Sequence, residues 1–275
     1  MRYLVDIGAS QGLFANYVAK IYRNRSVDPI KVFAIEPIPE VAARINRREN
    51  IVIVSAAVLS KHHITHTGTV RLNVFRNHEL SSILDINQNL DDRVWSNHLP
   101  GPEPVKVIEV PAITLEQLMN DYKIPHIDFL KIDTQGTDLS VLESAGRKIG
   151  AIKALVLEVP YSAASALYES ETHLTIALDR VLSLGFSPVR IVPNGGGECN
   201  LFLRNQNLSV SDYFQIEKEM GLEKAPTLKI GPHDPYILEP WLARLSIKFM
   251  EGFQQLINHT YKICKILHLP SIKRK

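Results

Sequence analysis

Cysteine is nearly absent from this sequence. Only Cys199 and Cys264 occur in 275 residues, far apart and in no metal-ligand spacing. That excludes a disulfide framework and fits a reducing compartment. An excess of one charge sign is also missing: the formal net charge is +2, too small to mark a nucleic-acid binder. No run of about 18 uncharged apolar residues offers a transmembrane helix. Charged Asp6 follows too few apolar residues for a secretory leader. Internal repeats and low-complexity tracts are missing too. A chain of this length buries about 70–75% of its potential surface on folding and needs no covalent staples. These absences predict a cytoplasmic protein, with membrane contact at most peripheral.

What is present is a rhythm. Residues 3–7 read as a short buried strand, and Leu13, Phe14, Tyr17, Val18, Ile21 and Tyr22 form a helical stripe after it. Lys31–Ile35 is a second strand, PEVAARINRRE a helix with Pro39 in its first turn, and 51–58 a third strand. Short loops join them, which predicts a doubly wound, Rossmann-like α/β sheet. Residues 60–112 change pattern: GTVRLNVFR and PVKVIEVPAI alternate and read as a β insert or lid. The rhythm resumes with TLEQLMND (a helix capped by Thr114), IDFLKID (strand 4), a helix in TDLSVLESAGRK, IKALVLEV (strand 5) and a helix ending at Gly185. FSPVRIVP and ECNLFLRN close the series; their joint is short, so they pair antiparallel in an otherwise mostly parallel sheet. A boundary is expected near residue 206, dividing domain 1–205 from a helical C-terminal extension, 206–275.

The chemistry concentrates at the first strand's end. DIGASQG places Gly8, Ala9, Ser10 and Gly12 between a strand and a helix start, where free N–H groups suit a phosphate or carboxylate. In a doubly wound sheet, ligands sit at the carboxyl ends of the strands near the topological switch. Glu36, followed by Pro37, ends strand 2 where ribose hydroxyls are met. A nicotinamide site normally shows G-x-G-x-x-G/A, and here the third glycine is missing. Asp6 would repel a pyrophosphate but suits an ammonium. Adenosine joined to an amino acid is S-adenosylmethionine. A bare strand–turn–helix corner, with glycines only for packing, is the alternative at this point.

VDIGASQGLFANYVAK, FAIEPIPEVAARI, VPAITLEQLM and IDFLKIDTQGTDLSVLESA, in this order, resemble the FkbM family of methyltransferases over roughly residues 3–205. The resemblance implies the class I S-adenosylmethionine-dependent fold and O-methylation of a hydroxyl on a sugar, glycolipid or secondary metabolite. It sets Asp6, Gly8 and Gly12 around the methionine part, Glu36 on the ribose, Ser55 and Ala56 at the adenine edge, and Asp133 closing the site. Members usually carry a segment ahead of the first strand. This sequence starts on the strand, so a different substrate cover or a truncated chain is expected. The family often has an acid where Gln135 stands.

Methyl transfer to a hydroxyl asks for alignment and a proton acceptor. Asp133 and Glu158 fall side by side at the ends of strands 4 and 5, and Lys131 shares a face with Asp133. These three are the catalytic candidates, against bland readings of a helix N-cap for Asp133, an ion pair for Lys131 and a loop carboxylate for Glu158. His78, Ser81 and Ser82 in the insert are candidates for substrate hydroxyls. His62, His63 and His66 lie in a loop entering a strand, and no metal site is expected. The tail carries Trp241, Leu242, Leu245, Phe249, Phe253, Leu256 and Ile257 on one side, with Lys248, Lys262 and Lys265. Such a helix packs on its own domain or in a homodimer, or lies on a membrane surface. Two other functions fit the fold: a nucleotide- or nicotinamide-dependent enzyme, and a binding module that has kept the fold without the chemistry.

Overall fold

A computed structural model describes residues 1–25, 28–88, 103–195 and 197–225. Its strands are β1 (Arg2–Ile7), β2 (Ile30–Ile35), β3 (Ile51–Val54), β4 (Ala57–Val58), β5 (Thr69–Val74), β6 (Lys106–Ile113), β7 (Ile127–Ile132), β8 (Ile152–Pro160), β9 (Phe186–Gly195) and β10 (Glu198–Asn205). Its helices are α1 (Leu13–Arg25), α2 (Pro39–Ala42), α3 (Leu115–Asp121), α4 (Asp138–Glu143), α5 (Leu174–Ser183) and α6 (Val210–Met220). Seven strands form one sheet in the order β3-β2-β1-β7-β8-β10-β9, and β10 runs antiparallel to both neighbours. This is the mostly parallel, doubly wound α/β plan that the sequence predicts.

The strands read as continuous apolar runs because both faces are covered. Val5, Ile7, Leu130 and Ile132 meet α3, α4 and α5 through Leu118, Leu142 and Val181. Leu4, Val32 and Phe129 point the other way, onto Phe14, Val18 and Tyr22 of α1. Thr114 caps α3 in a full capping box with Gln117.

The structure corrects three boundaries. Residues 51–58 are not one strand: the chain leaves the large sheet after Val54, and β4 joins a second sheet, β4-β6-β5, built from the insert. The break lets Ala57 and Leu59 join Ile38, Val41, Val70 and Leu72 in a separate apolar cluster. α2 stops at Ala42, since the charged stretch beyond it brings only Ile45 to the core. The boundary expected at residue 206 falls inside a packed unit, because Tyr213, Ile216 and Met220 of α6 are buried in the same core as α1. The amphipathic tail, with its expected membrane or dimer contacts, lies outside the described residues. Among the described residues, no helix is long and apolar enough to cross a membrane.

Candidate active site

The strand order reverses between β1 and β7, and a cavity of about 470 Å³ opens at their carboxyl ends. Gly8 makes this junction possible: its φ is +77°, and a Cβ there would collide with the carbonyl oxygen of Asp133. Beyond it, Ser10 holds an unusual φ of +48°. Its N–H donates to Glu36 Oε2 at 2.9 Å, and the Ile38 N–H donates to Oε1 at 2.9 Å. Glu36 therefore ties the first loop to the second, with lone pairs left over for a ligand. Burial pushes its pKa up to about 7 against those hydrogen bonds.

Asp6 carries its own electrostatic cost. It is fully buried and lines the cavity, yet neither carboxylate oxygen has a hydrogen-bond partner. Lys131 Nζ lies 3.6 Å from Oδ1, and burial still pushes the Asp6 pKa up to about 6. Lys131 gives its closer contact to Asp133 Oδ2, at 3.0 Å. Burial opposes the lysine's charge, but Asp133 and Asp6 outweigh it and hold its pKa above the ordinary value. Burial likewise opposes ionisation of Asp133, but the charge and hydrogen bond of Lys131 and the Gln135 amide hold its pKa low.

Glu158 reaches the same cavity from β8. Asn194 Nδ2 donates to its Oε1, and burial, then Asp133 and Glu198, push its pKa well up. Glu198 faces the cavity from β10 and is pushed up to about 9 by burial and then by Glu171, Asp133 and Asp138.

The cavity brings together Asp6, Gly8, Ala9, Ser10, Glu36, Pro37, Ala56, Lys131, Asp133, Glu158, His78 and Ser81. It does not bring in Gly12, Ser55 or Ser82. Gly12 abuts Ile45, where α1 begins. Ser55 is exposed outside the cavity. Ser82 is buried, donating to the Gln135 carbonyl at 2.6 Å and accepting from Leu84 N–H at 3.1 Å. Nor is Asp133 a helix cap. The N-cap of α4 is Thr137, without a side-chain capping bond, and Asp138, the helix's first residue, accepts from Thr134 N–H at 3.0 Å and, through its other oxygen, from Glu158 N–H at 3.2 Å. His62 rests on Ser60, and among the described residues no group of His, Cys, Asp or Glu could hold a metal.

Sequence reading missed Gln135, Asn194 and Glu198. Glu198 had a usable signal. The first residues of an antiparallel strand lie beside the last residues of its parallel neighbour, so β10 delivers its start to the carboxyl edge of β8.

The arrangement offers an unsatisfied buried carboxylate beside a tight loop. An apolar wall of Ile38, Ala56 and Leu59 completes that part of the cavity, and carboxyl groups crowd around Asp133. A family model described as Methyltransferase FkbM domain matches residues 6–186. No curated protein matches the chain. Among solved structures, an O-methyltransferase family 2 protein from Planctomyces limnophilus in complex with apigenin is similar at 10% identity and a TM-score of 0.38, over 74% of this chain and 50% of that one. The chain thus spans about half of that protein. A SAM dependent methyltransferase from Aquifex aeolicus is similar at 11% identity and a TM-score of 0.35, over 74% of this chain and 82% of that one.

Proposed function

This chain belongs to the FkbM methyltransferase family, and from that premise we propose that it is an S-adenosylmethionine-dependent O-methyltransferase acting on a hydroxyl of a sugar or similar acceptor. The observation that carries the reading is Asp6, a fully buried carboxylate without a hydrogen-bond partner at the mouth of the glycine loop. A buried charge left in this state is costly, and a cationic ligand relieves it. The ammonium of S-adenosylmethionine fits that need.

The other groups follow the cofactor's length. Backbone from Gly8 to Ser10 borders the amino-acid part, the free lone pairs of Glu36 suit ribose hydroxyls, and Ile38, Ala56 and Leu59 supply an apolar wall for the adenine. The bound cofactor supplies a methyl already activated on a sulfonium. The chain's remaining task is to align the acceptor oxygen and take its proton. Asp133, kept ionised by Lys131 and Gln135, orients the acceptor hydroxyl as a hydrogen-bond acceptor. As the methyl transfers, Asp133 takes that proton, while Glu158, oriented by Asn194 and pushed by burial toward its neutral form, hydrogen-bonds Asp133. A surface of carboxylates and an amide is suited to several hydroxyls at once, which favours a sugar-like acceptor.

Calorimetric titration of the full chain tests the cofactor. S-adenosylmethionine and its demethylated product are expected to bind at micromolar concentration and NAD not at all. Binding of NAD alone would overturn the reading. Transfer of labelled methyl to a panel of sugars, amines and thiols then tests the acceptor, with label on oxygen as the expected result.

A further inference from the structure

The loop after β7 turns through two consecutive left-handed residues, Gln135 at φ +56° and Gly136 at φ +98°. Glycine tolerates this region, whereas glutamine seldom occupies it without outside support. A Cβ on Gly136 would lie 2.9 Å from Leu84 Cδ1 and 3.1 Å from Tyr168 Cδ2. The loop is thus threaded between two segments remote in sequence. One is residues 80–86, which border the cavity through Leu80, Ser81 and Ile83. The other carries Tyr168, which bridges to Ile86.

Gln135 is bonded to both. Its carbonyl accepts from Ser82 Oγ at 2.6 Å. Its Oε1 lies 3.0 Å from the Tyr168 hydroxyl and shares that group's one proton with the Leu80 carbonyl, 2.7 Å away. Its Nε2 donates to Asp133 Oδ1 at 2.9 Å. The side chain must accept at one end and donate at the other, and an amide does both. A glutamate would set a carboxylate against Asp133.

We propose that Gln135 is a positioning residue: through its amide it couples the seating of residues 80–86 on Tyr168 to the orientation of the Asp133 carboxylate. This rests on the reading above, in which Asp133 meets the acceptor. Asp133 is otherwise held by Lys131 and by a hydrogen bond from Glu158, and faced by Asp6, Glu36, Asp138 and Glu198. Losing the amide donor removes one of the few groups favouring its charge.

The test follows Asp133 by carbon NMR in full-length protein labelled at aspartate carboxyl carbons, with the signal assigned by its loss in Asp133→Asn. Wild-type Asp133 is expected to titrate below the ordinary aspartate range. Gln135→Glu should raise its midpoint by about one unit or more, the usual effect of a like charge in contact. Tyr168→Phe adds no charge and should raise it less, in the same direction. Ser82→Ala, which frees the Gln135 carbonyl, is the second variant should Tyr168→Phe fail to fold, as judged by melting. An Asp133 midpoint unmoved in the folded neutral variant overturns the coupling, even if Gln135→Glu shifts it by charge alone. S-adenosylmethionine binding is measured beside it. Absent binding in the wild type overturns the functional reading, while the titration still judges the coupling.

Discussion

β1 and β7 lie side by side, and each buries a carboxylate completely, at opposite ends of the sheet: Asp6 at the cavity, Asp128 at the far edge. Both are closed off from solvent, and their surroundings are opposite. Asp128 accepts from Arg2 Nη1 at 2.9 Å, Lys153 Nζ at 2.8 Å and Tyr3 N–H at 2.8 Å, with His126 Nε2 at 3.2 Å. Burial alone would raise its pKa, but Lys153, Tyr3 and Arg2 outweigh that and hold it low. Asp6 has no hydrogen bond and is pushed up to about 6. The fold can complete a buried carboxylate and does so where only stability is at stake. Asp6 is left with Lys131 alone, at 3.6 Å, and in the function proposed above the cofactor's ammonium supplies the rest.

The largest effect expected from that contrast is on stability at the far edge. Asp128→Ala strips a shared carboxylate from three basic side chains. It should cost about 3 kcal/mol in urea unfolding, the low end for a broken buried ion pair, since the cations can resolvate. Cofactor affinity should stay unchanged. Asp6→Asn should do the reverse. It removes a buried charge whose one ion-pair partner, Lys131, lies closer to Asp133, so stability holds or rises, while S-adenosylmethionine affinity in calorimetry falls by at least tenfold, about 1.4 kcal/mol. If Asp6→Asn destabilised the chain as much as Asp128→Ala, the distinction between the two ends would collapse.

The two carboxylates should also respond oppositely to pH. A folded pKa below the unfolded value gives stability that is present above the unfolded pKa and lost as pH falls, and Asp128 is such a group. A folded carboxyl pKa above the unfolded value means the native state holds its proton longer, so stability falls as pH rises through the interval. Asp6 and Asp138, both pushed up to about 6, and Glu36, pushed up to about 7, are of this kind. Glu198, pushed up to about 9, extends the same trend, so the ligand-free chain should be most stable on the acid side of neutrality and lose stability from about pH 4 up to about pH 9. S-adenosylmethionine should offset part of that loss, and bind more tightly as pH rises through about 6, because Asp6 must ionise to meet an ammonium. Urea midpoints with and without ligand at several pH values check both signs. A midpoint flat across the interval would mean that Asp6, Asp138 and Glu36 all ionise in the folded chain as easily as in the unfolded one.

Much of this contrast is legible in the sequence, and unevenly so. Asp6, Gly8 and Glu36 can be placed because each sits at the end of an apolar run, and strand ends in a doubly wound sheet have one destination. Lys131 and Asp133 follow from the period of two along β7. Asp128 is in the same run but gave no sign of its role, since its partners come from residues 2, 3, 126 and 153, and only topology brings those together. Gln135 was invisible for the same reason: its contacts span residues 82 to 168. Ser82 misleads because a serine in a polar stretch looks available, whereas this one is spent on the Gln135 carbonyl. The boundary at 206 misleads because the strand rhythm ends there while the apolar face of α6 still belongs to the core of α1.

The smallest expected effect separates two residues adjacent in the chain. The family resemblance sets Ser55 and Ala56 together at the adenine edge, but β3 ends at Val54, and the turn into β4 sends them apart. Ala56 lines the cavity and Ser55 is exposed to solvent. Ser55→Ala should therefore leave S-adenosylmethionine affinity within about twofold of wild type, the range of an exposed substitution that breaks no particular contact. The side chain is small and the change only deletes a hydroxyl, so a fall of about tenfold would require that hydroxyl to touch the ligand. The turn between β3 and β4 would then close over the adenine on binding, and the cavity would extend past the wall formed by Ala56.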